Sequence, residues 1–352
     1  MNIKVAVNGY GVIGKRVADA VRAMPDMDLV GVADIATDWH VRTAAGLGID
    51  VFAATHDART AMQSAGVPLA GTLPDLLDQV DVVVDTTPKK VAAATNLQAY
   101  RAAQVKAVFQ GGESHATTGH SFVAQANYAT ALGRDSTRVV SCNTTSIVRV
   151  LGALQDADLL ARARGVLIRR ATDPGESHHG GIMNTMVPEG SIPSHQGPDA
   201  RTVLPNLDVV TMAAKAAHTQ THNHYWTLQL NRPASREEVL EALRAAPRIA
   251  FIRMADGLTA LNTTVELMRD LGRPRGDMWE VALWEDVLTV EGDEAYLTYQ
   301  VYNEAIVVPE TIDAIRALAG TVTDGSTSIK MTDEALGMRR EFLPAPVRAT
   351  TA

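Results

Sequence analysis

Cysteine is almost missing from this chain. Among 352 residues only Cys142 carries a thiol, so no intrachain disulfide and no multi-cysteine zinc site can form. If that thiol matters, it matters as a nucleophile. No apolar run approaches the roughly 18–20 residues that would cross a bilayer. Met1-Asn2-Ile3-Lys4 runs straight into a short apolar strand without a basic leader, and the expectation is a cytoplasmic protein without membrane contact. An excess of positive charge is lacking too: 40 Asp and Glu against 32 Lys and Arg give a net charge of -8. Phosphate-backbone binding rests on clustered cations, so a nucleic-acid partner is not expected. Hydrophobic residues are plentiful at 46% and charged residues stand at 20%. That balance suits packed cores, and the length points to two of them.

The chain opens with an apolar run, Ile3–Asn8, that breaks at Gly9-Tyr10-Gly11-Val12-Ile13-Gly14 and continues as an amphipathic stretch to about Met24. This is the order strand, tight turn, helix. A second run, Leu29–Ala33, ends at Asp34, about 20 residues past Gly14, as a dinucleotide fingerprint requires. In that setting the first glycine permits the turn, the second lets a pyrophosphate approach the backbone, the third allows helix and strand to pack, and the helix N-terminus favours the anion. Gly9, Tyr10, Gly11, Val12, Ile13 and Gly14 are therefore cofactor candidates. Asp34 stands where a carboxylate meets the adenosine ribose. Further strands at 80–85, 105–109 and 139–141, with helices at 74–79 and 91–103, lack polar alternation, which is the signature of a parallel sheet covered on both faces. Residues 1–141 read as a Rossmann doubly wound parallel domain. Thr86-Thr87 and Gln110-Gly111-Gly112 lie at its strand ends and are cofactor-contact candidates by position.

Beyond Cys142 a helix is expected from Thr145 to about Leu160, and then the texture changes. Strand-like runs at 165–170, 225–230, 249–254 and 281–289, with a helix at 235–245, predict an α+β catalytic domain on a mixed or antiparallel sheet over 142–305. Residues 173–199 hold Pro174, Pro188, Pro193, Pro198 and five glycines; so irregular a stretch inside a compact domain marks a functional loop. A helix at 309–318 opens a C-terminal segment, 306–341, that returns to the first domain. The last residues, 342–352, read as a tail.

Two chemical constellations stand out. Cys142 lies in Ser141-Cys142-Asn143-Thr144-Thr145, between a strand end and a helix start, where the helix dipole favours a thiolate and the polar neighbours cap the helix or bind an anion; a small buried thiol is the alternative reading. Histidines crowd the second half: His178, His179, His195, His218, His222 and His224. His222 and His224 share a strand face. No acidic or cysteine partner stands at metal-ligand spacing and HExxH is absent, so no metal is expected. A histidine paired with Cys142 as an imidazolium would activate it for attack on a carbonyl. Arg169 and Arg170, at a strand end before the irregular loop, are a candidate bidentate phosphate clamp.

The strings Val5–Arg16, Phe109–Glu113, Ser121–Tyr128, Val139–Thr145, Pro193–Asp199 and Glu304–Glu310 together resemble the glyceraldehyde-3-phosphate dehydrogenase family, in its archaeal-type (class II) branch. The resemblance implies Cys142 as nucleophile and the first of the paired histidines, His222, as catalytic base. It also implies Gly112 and Arg170 as cofactor contacts, with Arg170 near the nicotinamide. Ser141, Asn143, Thr144, Ser194 and His195 would form the substrate site, with Thr145 and Arg169 available to the anion pockets. A homotetramer active in glycolysis and gluconeogenesis is implied as well, with NAD or NADP as cofactor and a small phosphorylated aldehyde and inorganic phosphate as partners. Four positions depart from the branch. Asp34-Ile35 replaces Lys-Thr after the second strand, which favours NAD over NADP. His178-His179 replaces a Lys-Lys pair, Ser146 a glycine, and Asn303 a glutamine before Glu304, Asn303 remaining a cofactor candidate. A semialdehyde or acyl-phosphate reductase acting on another substrate, or a non-catalytic NAD-binding regulator, would share many of these features.

Overall fold

A computed structural model of the protein describes residues 2–89, 91, 95–110, 112–173 and 184–344. The chain divides into two compact units, one of Met1–Val148, His195–Leu207 and Asn303–Gly337, the other of Arg149–Ser194, Asp208–Tyr302 and Met338–Ala352. Boundaries at 141/142 and 305/306 therefore move by a few residues. The stretch 195–207 joins the first unit, an assignment that nothing local in its sequence signals.

The first unit is built on eight strands: β1 (Ile3–Asn8), β2 (Met27–Asp34), β3 (Val51–Ala53), β4 (Gly71–Thr72), β5 (Val82–Asp85), β6 (Lys106–Phe109), β7 (Ser121–Phe122) and β8 (Ser136–Val139). Their order is β4-β3-β2-β1-β5-β6-β8-β7, and every pair is parallel. The chain first builds outward from β1 through β2 and then crosses back to β5. That reversal beside β1 opens a crevice at the carboxyl ends of the strands, the place where doubly wound sheets bind ligands. The strands are apolar on both faces because helices cover both. Val5, Val7, Val82, Val83 and Val84 are fully buried, and Phe52, Leu73, Leu76, Tyr100 and Phe109 pack one side of the core. Helix Val307–Ala319 also belongs here and is buried along nearly its whole length. Its charged residues are matched rather than exposed: Arg316 reaches Asp26 at 2.7 Å, and Glu310 accepts from the Ala124 N–H at 2.7 Å.

The second unit carries β9 (Leu160–Arg170), β10 (Val187–Pro188), β11 (Val209–Ala216), β12 (His222–Leu230), β13 (Ile249–Ile252), β14 (Val281–Trp284), β15 (Thr289–Glu291) and β16 (Glu294–Val301). The order is β10-β11-β9-β12-β16-β14-β13, with β15 beside β16. β9 runs parallel to β11 and antiparallel to β12, so the sheet is mixed. One face is packed, with Leu167, His224 and Tyr299 side by side across β9, β12 and β16. The other shows Met212, Val166 and Tyr225 in one row, each at least a third exposed.

Several expected boundaries shift for local reasons. The strand at 139–141 ends at Val139, and the helix starts at Cys142 rather than Thr145 because Ser141 caps it: its hydroxyl accepts from the Thr144 N–H and its carbonyl from the Thr145 N–H. The same helix stops at Asp156, before Asp158 turns into a positive φ of 54°. A 3-10 turn at Glu285–Val287 interrupts the run at 281–289. Between 91 and 103 the described residues form a helix at Leu97–Ala102.

Candidate functional site

The glycine turn follows β1 and opens the helix Val12–Ala23. Gly9 sits at φ +95°, a conformation costly for any residue with a side chain. At Gly14 a Cβ would lie 1.8 Å from the Gly9 carbonyl oxygen, whereas at Gly11 it would meet open space. One glycine therefore makes the turn, one clears its approach and one locks helix against loop. This geometry fits a pyrophosphate laid on the backbone of a helix N-terminus. Thr86 ties the loop down by donating to the Gly9 carbonyl at 2.5 Å.

Beside the turn, Asp34 is held by three backbone amides: Oδ2 accepts from Tyr10 at 2.5 Å, and Oδ1 from Ile35 at 2.7 Å and Ala36 at 2.9 Å. Cations that could offset it are engaged elsewhere. Lys15 lies 4.7 Å over the Trp39 ring, His40 pairs with Asp38 at 2.9 Å, and Arg42 donates to the Ala65 carbonyl at 2.9 Å. Thr87 gives its hydroxyl to Asp85, the buried centre of a network in which Tyr100 donates to Asp85 and Asn8 to Tyr100, each at 2.7 Å. Gly112 adopts φ +74° with open space beside it; Gly111, His178 and His179 lie outside the described residues. Asn303 belongs to the first unit, and its buried Oδ1 has no hydrogen-bond partner among the described residues. An acceptor of this kind suits the amide of a nicotinamide.

Cys142 is the first residue of its helix and is partly exposed. Around it the turn closes on itself. Thr144 and Thr145 are fully buried; the Thr144 hydroxyl donates to Asp199 at 2.8 Å and that of Thr145 to the Val140 carbonyl at 3.3 Å. Asn143 is buried as well. These three hold the turn, and Ser141 and Cys142 are its accessible side chains.

In the second unit β12 presents His222 and His224 on the packed face. His222 Nδ1 accepts from the backbone N–H of Arg170 at 3.1 Å. A backbone N–H can only donate, so the proton of the neutral ring lies on Nε2. Burial, and then the charges of Arg170, His224, Arg169 and His218, hold His222 well below the usual histidine range. The sequence predicts an imidazolium; desolvation and two neighbouring guanidiniums favour the neutral ring instead. His224 packs on Tyr299, bonds its hydroxyl at 3.0 Å, and is pushed down to about 3 by burial and Arg169. His218 lies in the preceding loop, near the Thr221 carbonyl at 3.2 Å, and is lowered mainly by burial.

Arg169 is paired with Glu189 and Arg170 with Asp173, so two carboxylates already balance the expected phosphate clamp. The first pairing was not legible beforehand, because Glu189 lies 20 residues away across the sheet edge, whereas Asp173 is a local partner three residues from Arg170. Ser194 is fully buried and donates to Thr211 at 2.8 Å, whereas His195 is exposed. Among the described residues no group of three or more His, Cys, Asp or Glu is placed to hold a metal, and no helix is long and apolar enough to cross a membrane.

Comparison with known proteins matches both halves of the chain. Residues 141–270 match the family described as glyceraldehyde 3-phosphate dehydrogenase, C-terminal domain, and residues 3–144 match dihydrodipicolinate reductase, N-terminus. A glyceraldehyde-3-phosphate dehydrogenase of Methanococcoides burtonii is 43% identical over 96% of this chain and 99% of its own length. That of Methanosarcina mazei is 43% identical over 95% and 99%, and that of Haloarcula marismortui 44% over 96% and 95%. Likeness at that level along nearly the whole sequence, on a parallel nucleotide-binding sheet and a mixed second sheet, places the chain in the glyceraldehyde-3-phosphate dehydrogenase family.

Proposed function

We propose that this protein is a phosphorylating dehydrogenase that oxidises glyceraldehyde 3-phosphate to an acyl phosphate through Cys142. The observation that carries this reading is the placement of the chain's only thiol as the partly exposed first residue of a capped helix, where the dipole favours the thiolate.

The thiolate adds to the aldehyde carbon, and the carbonyl electron pair moves onto oxygen. His222, with its proton on Nε2, donates to that oxygen and holds the developing charge. The family resemblance implies it as base; the Arg170 N–H aimed at Nδ1 supports donation as its first role. The Gly9–Gly14 turn, Asp34, Gly112 and Asn303 would hold a nicotinamide cofactor, which would supply the hydride acceptor. The acyl group then stays on sulfur as a thioester. A phosphate oxygen attacks it, the carbon–sulfur bond breaks and its electron pair returns to Cys142.

Two anions must be held, and Ser141, His195, Arg169 and Arg170 are the groups we assign. A phosphate carries close to two charges, which lets it compete with Glu189 and Asp173 for the guanidiniums. We assign NAD as the preferred cofactor, since Asp34 faces the ribose position while Lys15, His40 and Arg42 are spent elsewhere. A homotetramer is the assembly we assign. The apolar row Met212, Val166 and Tyr225 supports it, and light scattering tests it.

The deciding experiment follows absorbance at the reduced-nicotinamide band with glyceraldehyde 3-phosphate, with and without inorganic phosphate, and against a panel of unphosphorylated aldehydes and semialdehydes. Phosphate-dependent turnover on the phosphorylated substrate is expected. Faster turnover of a semialdehyde, or indifference to phosphate, overturns the assignment.

A further inference from the structure

Arg138 lies on β8 and is 3% exposed, yet its guanidinium meets four partners on three different segments of the first unit. Nε donates to the Ser121 hydroxyl at 2.8 Å, Nη1 to the Glu113 carbonyl at 2.8 Å, and Nη2 to Asp199 Oδ1 at 2.5 Å and to the Thr202 hydroxyl at 3.1 Å. The second oxygen of Asp199 accepts from the Thr144 hydroxyl at 2.8 Å. Thr144 Oγ1 is in turn 2.9 Å from the hydroxyl of Ser141, which caps the helix that begins with Cys142. One carboxylate thus fastens the turn that carries the thiol, and one buried cation fastens that carboxylate.

This wiring has an electrostatic consequence. A carboxylate beside a helix N-terminus is itself stabilised by the dipole, but it opposes a second negative charge there, and a thiolate on the first residue is such a charge. Arg138 cancels it. Other titratable or charged groups on the segments joined to this turn are Glu113, buried with Thr117 donating to it at 3.4 Å; His115, whose Nδ1 is 2.8 Å from the Ser121 hydroxyl; His120, whose Nδ1 is 2.7 Å from the Thr137 hydroxyl on β8; His195, exposed and accepting at its carbonyl from the Asp199 N–H; and the exposed Arg201.

We propose that Arg138 and Asp199 are positioning residues for Cys142: Asp199 sets the helix-start turn through Thr144, and Arg138 neutralises the charge that Asp199 brings, so that the pair orders the thiolate without opposing it. The proposal rests on the reading of Cys142 as nucleophile, but its test does not need turnover.

Because Cys142 is the only cysteine, the rate of alkylation by iodoacetamide as a function of pH reports on this thiol alone. Asp199→Asn keeps an acceptor for Thr144 and removes one negative charge. It should move the alkylation midpoint down by about one pH unit, which is roughly a tenfold faster reaction on the acid limb. Arg138→Gln leaves Asp199 uncompensated and should move the midpoint up by a similar amount. The double variant should return close to the native midpoint. A merely structural role predicts that both single changes move the midpoint the same way, or not at all, and either result overturns the proposal. Should Arg138→Gln fail to fold, the downward shift in Asp199→Asn, and its reduction when Thr144→Val is added, decide the matter; no downward shift in Asp199→Asn is a refutation. Loss of the proposed function has a separate sign, namely turnover that survives Cys142→Ser.

Discussion

The two regions to which we assign this protein's chemistry are built in opposite ways. At the crevice of the first sheet the working groups are backbone: the N–H groups of a glycine turn, a helix N-terminus, and an aspartate cradled by three amides. At the end of β12 they are side chains sunk in the packed face of a mixed sheet, where each ionisable group answers to another several strands or a loop away. Backbone sites need contiguous residues in strict order and tolerate water. Side-chain sites need strand register and burial, and burial sets their charge. The first region should therefore respond to substitutions mainly through affinity, the second mainly through rate and pH.

Cys142 gives the sharpest test. Serine has no ionised form near neutral pH, so Cys142→Ser should lower turnover by several orders of magnitude while the dissociation constant of the cofactor, measured by fluorescence titration, stays within about twofold of native. Weakened cofactor binding of comparable size would erase the distinction between a backbone cradle and a separate nucleophile.

His222→Asn comes next. Asparagine can still accept from the Arg170 N–H but places its donor differently, and a cost of roughly 10²–10⁴ in the chemical step is expected, read as kcat in single-turnover experiments. The native rate should show no inflection from this ring near pH 6.5, because its titration is displaced to lower pH. An inflection there that vanishes in His222→Asn would restore the imidazolium reading.

Burial also makes the two units unequal toward acid. His120 in the first unit is lowered to about 4, chiefly by burial, with its ring nitrogens on Thr137 and Thr130; in the second unit His224 is lowered to about 3 and His222 and His218 are lowered as well. Each takes up a proton more readily unfolded than folded, so its share of stability is complete above pH ~6.5 and is lost as pH falls, toward about 4 for His120 and about 3 for His224. His120 alone is worth on the order of 3 kcal/mol across that window. With three such rings against one, the second unit should lose its slow-exchanging amides first in hydrogen exchange between pH 6.5 and 4.5. Loss in the first unit before the second contradicts this.

The same contrast explains what could be read from the sequence. The glycine turn, Asp34 and the Cys142 turn were legible because their meaning lies in neighbouring residues. The helix Arg236–Ala245, capped by the Ser235 hydroxyl, which accepts from the Glu238 N–H, was legible for the same reason. Arg138 and Asp199 were not, since 61 residues separate them and only the fold makes them partners. Nor was the carboxylate on Arg169, or the neutrality of His222, which follows from depth in the sheet rather than from spacing. The helix Gly325–Leu336 went unmarked for a different reason: Gly325-Ser326-Thr327-Ser328 is a poor opening by propensity. It forms because Asp324 caps it at 2.8 Å from the Thr327 N–H and because Ser328 and Thr332 hydrogen-bond the buried Asp313.

The smallest expected effect tests the cradle itself. The carboxylate of Asp34 sits among the amides of Tyr10, Ile35 and Ala36, at the position from which an acidic residue meets the ribose 2′-hydroxyl. With NADP that hydroxyl carries a phosphate, so the carboxylate loses a hydrogen bond and faces like charge. A difference of about 2–3 kcal/mol corresponds to a preference for NAD of roughly 30- to 150-fold in kcat/KM. Asp34→Ala removes the repulsion and leaves three amides able to receive an anion, with Lys15 one helical turn along and free to exchange the Trp39 face for a phosphate. The gap should narrow to within about threefold, mostly through a lower KM for NADP, while kcat with either cofactor holds. Equal or better use of NADP by the native protein would show that Lys15, His40 or Arg42 leaves its present partner when the phosphate arrives, and that the backbone region is less fixed than its hydrogen bonds imply.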